Sequence, residues 1–563
     1  MFGKIISFIM ALVMTTTGFV TTSVSNIVDA VTVSIFGVPY TDEAVESGFF
    51  NDMDDSDVVE LGEDSGFIKD KIAVFVDSDM SFWSKIKFFK ECGGTLSGWC
   101  TLADLYVVSY PSMDYEQVLE RCEKLNSANG VELAIPVMIN KTVLNGTPDD
   151  DFGATYDEPN VWDELNPSGN NWWLEAINAR QAWDYSDYFG KINIGVLDSG
   201  FETNHSELSG KISFPDSFQS FLNTPHYHGT HVAGIIGANH DGSGIAGICE
   251  NSNLICVDWT PDGLQFWITD IAIFFGISTL VKSGAKVINL SLGTSGTKGS
   301  NSSGIFERVF GAAATSYMMA SLLSKGYDFV AVQSAGNGDS LGDPVNAENN
   351  GHFCVLSEDN IFVGSKNVSA KNILDRIIVV SSISNNGDGT YTQSDFSNVG
   401  RSVSIAAPGD EIYSCVDGGD YDEFSGTSMA APMVTGVASL VWSVNPSFTG
   451  AQVKEIVCTS TDKVAQVNSD AKYYYNDLDF AEYPVVNAKL AVEEAIRRTV
   501  SSVGTASGNA GEAAEKIVYA GKTYTVYSDG SYSFVAPAGS GTAEVYDNSG
   551  NLINTFELTV NSD

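Results

Sequence analysis

Positive charge is scarce in this chain. Its 563 residues carry 29 Lys+Arg against 71 Asp+Glu, a net charge of −42. A surface this acidic repels phosphate, which excludes nucleic acid and anionic lipid as partners. The same excess leaves carboxylates available to calcium. There are eight cysteines (Cys92, Cys100, Cys122, Cys249, Cys256, Cys354, Cys415 and Cys458) and no C-x-x-C pair, so the spacing of a zinc site is missing. The apolar run Ile5–Met14 is shorter than the roughly 20 residues that cross a bilayer, and no later segment reads as membrane-spanning. Charged residues are 18% against 43% hydrophobic, which excludes disorder of the whole chain.

What is present divides into modules, three to four at roughly 150 residues each. Residues 1–30 read as a secretory signal: Lys4 is a weak positive start, the apolar run follows, and Val28-Asp29-Ala30 offers small residues for cleavage. The Thr15-Thr16-Thr17-Gly18 interruption argues against an uncleaved anchor. The expected location is therefore secreted, extracellular or at the cell surface. Export permits disulfides, with small buried thiols as the alternative.

Residues 31–68 read as an acidic linker. Residues 69–145 alternate strand and helix patterns: strands at Ile72–Val76, Leu96–Trp99, Leu105–Tyr110 and Val131–Ile139, helices at Phe82–Lys90 and Tyr115–Leu125. That β-α-β-β-α-β order predicts a ferredoxin-like α+β unit. Residues 146–170, broken by Pro148 and Pro159, predict an exposed loop. Over 171–500, apolar strands at 192–197, 254–257, 287–290, 329–332 and 377–380 alternate with helices. Such runs predict an α/β fold, a mainly parallel sheet with helices on both faces. The Gly/Ala/Ser-rich stretch 501–516 reads as a linker. Residues 517–563 read as a small β module, with a hairpin turning at Asp529-Gly530 and a second turn at Asp547–Gly550.

Three segments carry chemistry. Val196-Leu197-Asp198-Ser199-Gly200 ends an apolar strand on a carboxylate, the end where α/β proteins place active groups. His228-Gly229-Thr230-His231-Val232-Ala233-Gly234 holds two histidines at i and i+3, with no Glu or Cys at a matching metal spacing. Phe424-Ser425-Gly426-Thr427-Ser428-Met429-Ala430-Ala431-Pro432 places a hydroxyl at a helix start.

In the order Asp, His, Ser these segments resemble the subtilisin-like serine proteases, over about Asn171 to Thr499. The resemblance implies a serine endopeptidase with Ser428 as nucleophile, His228 as base and Asp198 as its orienting carboxylate. It assigns the first histidine rather than His231. Ser334-Ala335-Gly336-Asn337-Gly338 resembles the oxyanion segment, with Asn337 as donor. Ser291, Leu292 and Gly293, together with Ala335 and Gly336, resemble the substrate groove, implying broad specificity through main-chain pairing. A structural calcium ion is implied at Glu207, Asn239, Asp241, Ser243 and Ile245, although Glu207 and His240 depart from the family pattern. The unit at 69–145 resembles the family's propeptide in order and position, implying a zymogen that this segment inhibits and helps to fold. Implied partners are protein and peptide substrates and the chain's own propeptide, with a monomeric mature form and a C-terminal module at the cell surface. The alternative is an inactive surface-binding protein on a protease scaffold.

Overall fold

The computed structural model describes residues 57–61, 65–77, 80, 82–144, 172–215, 220, 223–242, 244–259, 267–294, 302–338, 343–468 and 482–562. The expected signal segment and the loop at 146–170 lie outside the described residues.

The N-terminal unit holds β1 (Val58–Glu60), β2 (Ser65–Val76), β3 (Thr95–Cys100), β4 (Leu105–Ser109) and β5 (Val131–Leu144), antiparallel, in the order β5-β2-β4-β3 with β1 on β2. Residues 65–68, within the stretch expected as acidic linker, belong to β2. The helices Phe82–Glu91 and Tyr115–Asn126 connect the strands. The second starts in a capping box: Asp114 accepts from the Gln117 N–H (2.9 Å) and Gln117 accepts from the Asp114 N–H (3.0 Å). Its buried Val118, Cys122 and Leu125 pack on Ile72, Val74 and Val108. Alternate strand residues face the other way, because side chains on a strand alternate between faces. Ala73, Phe75, Val107 and Ile135 enter a core shared with Phe274 and Tyr317. The Phe75 ring lies 5.2 Å from that of Tyr317.

The central body contains β6 (Ile192–Asp198), β7 (Ile212–Ser213), β8 (Ser252–Asp258), β9 (Trp267–Thr269), β10 (Val287–Leu290), β11 (Leu292–Thr294), β12 (Val330–Ser334), β13 (Ile377–Asn385), β14 (Tyr391–Gln393), β15 (Val403–Pro408), β16 (Ile412–Cys415), β17 (Tyr421–Phe424), β18 (Lys463–Gln466) and β19 (Glu482–Val485). Ten of these form one sheet, β14-β18-β19-β15-β13-β12-β10-β6-β8-β7, parallel from β19 through to β7. The five strands read from apolar runs are β6, β8, β10, β12 and β13, buried in the middle of that sheet.

The helix Thr427–Val444 is buried along its whole length. By length and composition it passes as a membrane span, which corrects the expectation that no later segment does; here the protein core takes the place of lipid.

The C-terminal unit comprises β20 (Val503–Asn509), β21 (Lys516–Tyr519), β22 (Lys522–Thr525), β23 (Ser531–Pro537), β24 (Gly539–Tyr546) and β25 (Leu552–Val560). Two expectations are corrected here. The small-residue stretch at 501–516 is not a loose tether: β20 pairs with β23 along its whole length. Asp529-Gly530 does not close a hairpin either. β22 pairs with β21, β23 with β20, so the turn passes from one sheet to the other. The reason is apolar: Tyr524 and Phe534 stack between the two sheets, with ring centroids 3.9 Å apart. The turn at Asp547–Gly550 does join paired strands, β24 and β25.

Candidate functional site

The parallel register brings three strand ends together. Leu197 of β6 lies opposite Leu290 of β10, and Leu290 opposite Gln333 of β12. The next residues, Asp198, Ser291 and Ser334, therefore share the carboxyl edge of the sheet, where open α/β folds place their sites.

Asp198 is fully buried, and its Oδ1 accepts from the Ser199 N–H at 2.7 Å and from His228 Nδ1 at 2.6 Å. That bond places the ring proton on Nδ1 and leaves Nε2 as the basic nitrogen. His228 sits in the first turn of the helix Tyr227–Gly237. The helix can approach β6 because residue 229 is glycine: a Cβ there would fall 2.3 Å from the Gly200 carbonyl oxygen. His228 Nε2 is buried and has no hydrogen-bond partner.

The second histidine of the motif is structural. His231 is fully buried, donates from Nε2 to the carbonyls of Ile412 (2.9 Å) and Asp422 (3.2 Å), and stacks on Phe424 at 4.3 Å. Burial, followed by the neighbouring His228, pushes its pKa down to about 3. It pins the helix to the β16–β17 hairpin.

Ser428 lies in the first turn of the helix Thr427–Val444. Its Oγ donates to the Ser291 carbonyl (3.1 Å), and the Ser291 hydroxyl donates to the Ser428 carbonyl (2.8 Å). Asn337 reaches the same helix start: its Oδ1 accepts from the Thr427 N–H (2.9 Å) and hydroxyl (2.8 Å). With its oxygen so held, the Asn337 amide keeps Nδ2 as a donor. The oxyanion segment and the nucleophile are thus tied through Thr427.

Reading motifs one at a time missed the groups behind these residues. Thr435 donates to Asn289 Oδ1 (2.9 Å), and Asn289 donates to the Ser291 hydroxyl (2.9 Å), all buried. His226 caps the His228 helix: its Nδ1 lies 3.2 Å from the His228 nitrogen and 3.0 Å from Ser199 Oγ. Burial, with His228 close by, lowers the His226 pKa. The His-x-His spacing was the signal available for it.

Ser291, Leu292 and Gly293 run into β11, and β11 is already paired. Leu292 lies opposite Leu144, Gly293 opposite Val143 and Thr294 opposite Thr142, antiparallel. On its other side the tail of β5 pairs with β9, Ile139 opposite Thr269 and Lys141 opposite Trp267. The N-terminal unit therefore lays its last strand between two edge strands of the central body.

Glu207 is 1% exposed beneath the loop 239–245. Its Oε1 accepts from the Tyr421 hydroxyl (2.6 Å), and its Oε2 is buried without a partner. A Cβ at Gly244 would fall 1.9 Å from Oε1, so the loop closes tightly over the carboxylate. Asn239, Asp241 and Ile245 lie on that loop; Ser243 is outside the described residues. Among the described residues no three His, Cys, Asp or Glu side chains form a metal cluster.

A model of the subtilase family matches residues 190–475. Thermitase of Thermoactinomyces vulgaris is 31% identical over 296 residues, covering 52% of this chain and 88% of thermitase. Subtilisin NAT of Bacillus subtilis subsp. natto is 30% identical over 269 residues, covering 47% of this chain; the chain spans 58% of its length. Among solved structures, fervidolysin from Fervidobacterium pennivorans, described as a keratinolytic enzyme related to subtilisin, superposes with a TM-score of 0.54 at 20% identity, over 89% of this chain and 78% of fervidolysin. That last likeness concerns the fold.

Proposed function

The chain belongs to the subtilase family, and on that premise we propose that it is a secreted serine endopeptidase made as a zymogen. The observation that carries the reading is the 2.6 Å Asp198–His228 bond at the sheet edge where Ser428 and Asn337 meet. Serine is a weak nucleophile at its own pKa and needs a base. As Ser428 Oγ attacks the peptide carbonyl, its proton passes to His228 Nε2, and Asp198 stabilises the imidazolium that forms. The carbonyl oxygen becomes an oxyanion, to which Asn337 Nδ2 and the Ser428 N–H donate. One such side-chain donor is worth ~10²–10³ in turnover. His228 then gives its proton to the leaving amine, and water resolves the acyl-enzyme by the same steps reversed.

Ser428 would have to turn from the Ser291 carbonyl towards Nε2. Catalytic hydrogen bonds are often longer or misaligned until substrate binds. Main-chain pairing along β11 reads no side chains, which supports broad tolerance along the extended peptide. The β5 tail in that groove supports the propeptide reading of the N-terminal unit: it lies where a substrate strand would lie.

A calcium ion fits the Glu207 loop by chemistry. The donors are hard oxygens, and one buried carboxylate oxygen there lacks a partner. Glu207, Asp241 and the Asn239, Ser243 and Ile245 carbonyls would hold it, and its effect would be on the stability of the loop. Chelator should then lower the melting temperature, and an unchanged melting curve would refute the site.

A fluorophosphonate probe tests the central reading. It should label the wild-type chain at Ser428, while Ser428→Ala should abolish labelling and leave the precursor full length. An unlabelled wild-type chain would favour the inactive scaffold.

A further inference from the structure

The groove has a floor that no motif announced. Asn350 ends a short 3₁₀ turn, Ala347–Asn350, and is 1% exposed. Its Nδ2 donates to the Ser334 carbonyl at 2.7 Å, which fixes the way the carboxamide faces. The oxygen then lies between the two backbone segments of the groove. A Cβ on Gly293 would fall 1.8 Å from Asn350 Oδ1, and a Cβ on Gly336 would fall 2.9 Å from it. Oδ1 is buried and has no hydrogen-bond partner.

A second carboxamide nearby is different. Asn398 Nδ2, which lies 2.4 Å from a Cβ placed on Gly336, donates to the Ala335 carbonyl (2.9 Å), and Asn398 Oδ1 accepts from the N–H groups of Gly338 (3.0 Å) and Val345 (2.9 Å). It is satisfied as a structural brace. Asn350 alone of the two presents a buried acceptor with nothing to accept from, and a ligand's donor would satisfy it.

The register identifies the ligand residue. Leu144 lies opposite Leu292, so a peptide in this register places its next residue opposite Ser291. The Ser291 carbonyl holds Ser428 Oγ, so that next residue is the one acylated. Its side chain would enter between Gly293 and Gly336 and meet Asn350. The Asn350 carboxamide forms one wall of that space, its oxygen 1.8 Å from a Cβ placed on Gly293. A long aliphatic or aromatic side chain would leave the acceptor unpaired. A carboxylate would meet oxygen with oxygen. A short side chain ending in N–H supplies the missing donor.

Resting on the protease reading above, we propose that Asn350 sets the specificity of the site, selecting asparagine as the residue on the acyl side of the cleaved bond. The chain's own sequence after Leu144 is Asn145-Gly146, which makes the Asn145–Gly146 bond the site of self-processing.

The test uses the full chain, secreted and left to mature. Fluorogenic amides of the form acyl-Thr-Val-Leu-X, with X as Asn, Asp, Ala, Leu or Phe, give the kcat/KM profile. Asn should exceed Leu and Phe at least tenfold and Asp at least a hundredfold, because a site built to hydrogen-bond its substrate rejects analogues that lack the donor. Asn350→Ala, with more room and no acceptor, should shift the preference towards Leu and Phe by at least tenfold. The new amino terminus should be Gly146. A wild-type preference for Leu or Phe, or an Asn350→Ala profile matching the wild type, overturns the assignment. The wild-type profile and the terminus need no variant, so a misfolded Asn350→Ala does not block the test. Fluorophosphonate labelling separates the two readings: a labelled chain with the wrong profile overturns the pocket alone, and an unlabelled one overturns both.

Discussion

The two units flanking the central body are attached to it in opposite ways. The N-terminal unit has a private core, in which Phe67, Ile72, Val74, Val118 and Met138 pack together, and it turns only its second sheet face to the body. It is also attached by backbone pairing along β5 and by an ion cluster in which buried Asp104 meets Lys325 (2.9 Å) and Lys366 (2.7 Å). The C-terminal unit has no such separate cluster among the described residues. Ile517, Tyr524, Phe534, Val545 and Val560 belong to the same core as Val232 and Val437. One polar contact lies inside the joint, where the Tyr185 hydroxyl donates to Glu493 (2.6 Å) and accepts from the Val535 N–H (2.8 Å); Arg180 pairs with Glu515 (2.8 Å) nearer its rim. A unit with its own core can leave and remain folded; one that completes its neighbour's core cannot. The first suits a removable inhibitor, the second a permanent part of the scaffold rather than a tethered binding module.

The sharpest way to break this contrast is truncation. A chain ending at Val500 should lose soluble, probe-labelled protein altogether, because the central core would be open along one side. A soluble chain that labels at Ser428 would refute the shared-core reading.

Next in size is the reverse experiment. The N-terminal segment 57–145, made separately, should fold and slow peptide hydrolysis by the matured enzyme at micromolar concentration. No slowing would refute the inhibitor role. In the same assay Asp104→Ala should weaken inhibition at least a hundredfold. It removes the 2.7 Å ion pair between Asp104 and Lys366, whose side chains are 3% and 4% exposed, and breaking a pair so buried costs about 3 kcal/mol or more.

The last expected effect concerns pH. Burial pushes the Asp184 carboxyl up to about 7, against hydrogen bonds from the Thr525 N–H (2.6 Å) and hydroxyl (3.1 Å) and the charges of Arg180 and Lys489. The folded pKa lies above the unfolded value of about 3.9. The folded state therefore holds the extra proton in between. The stability so gained is complete below about pH 4 and is lost as pH rises through 7, by at most about 1.4 kcal/mol per unit. Asp184→Asn carries no titrating group and should flatten that slope, read as melting temperature between pH 4.5 and pH 8. An unaltered slope would remove Asp184 from the account.

Legibility in the sequence followed how local each determinant was. The central strands were readable because a doubly covered parallel strand is apolar almost throughout, as in Leu254-Ile255-Cys256-Val257. The Asp198, His228 and Ser428 segments were readable because each needs small residues immediately beside it, such as Gly229 against the Gly200 carbonyl. What escaped depends on partners far along the chain. Asp529-Gly530 carries a hairpin signal, yet whether its strands pair is decided by Tyr524 and Phe534 stacking across two sheets. The Gly/Ala/Ser stretch in β20 has the composition of a tether, and only its partner β23 makes it a strand. Asn350 lies in no motif, and only the meeting of Gly293, Gly336 and Ser334 gives it a position.

The unbridged thiols carry a consequence for watching this molecule move. Cys122, Cys249, Cys354 and Cys415 have pKa values pushed up to about 12 by burial, and burial pushes Cys256 well above the ordinary thiol value. Only the thiolate reacts with an alkylating reagent, so each of these sulfurs is silent while its surroundings stay closed. Each is a clock. Cys122 times the opening of the N-terminal unit, Cys256 the parting of the central sheet, and Cys354 the loosening of the wall behind Ser334. Alkylation followed peptide by peptide would rank those openings on one time axis, without adding a label or changing a residue.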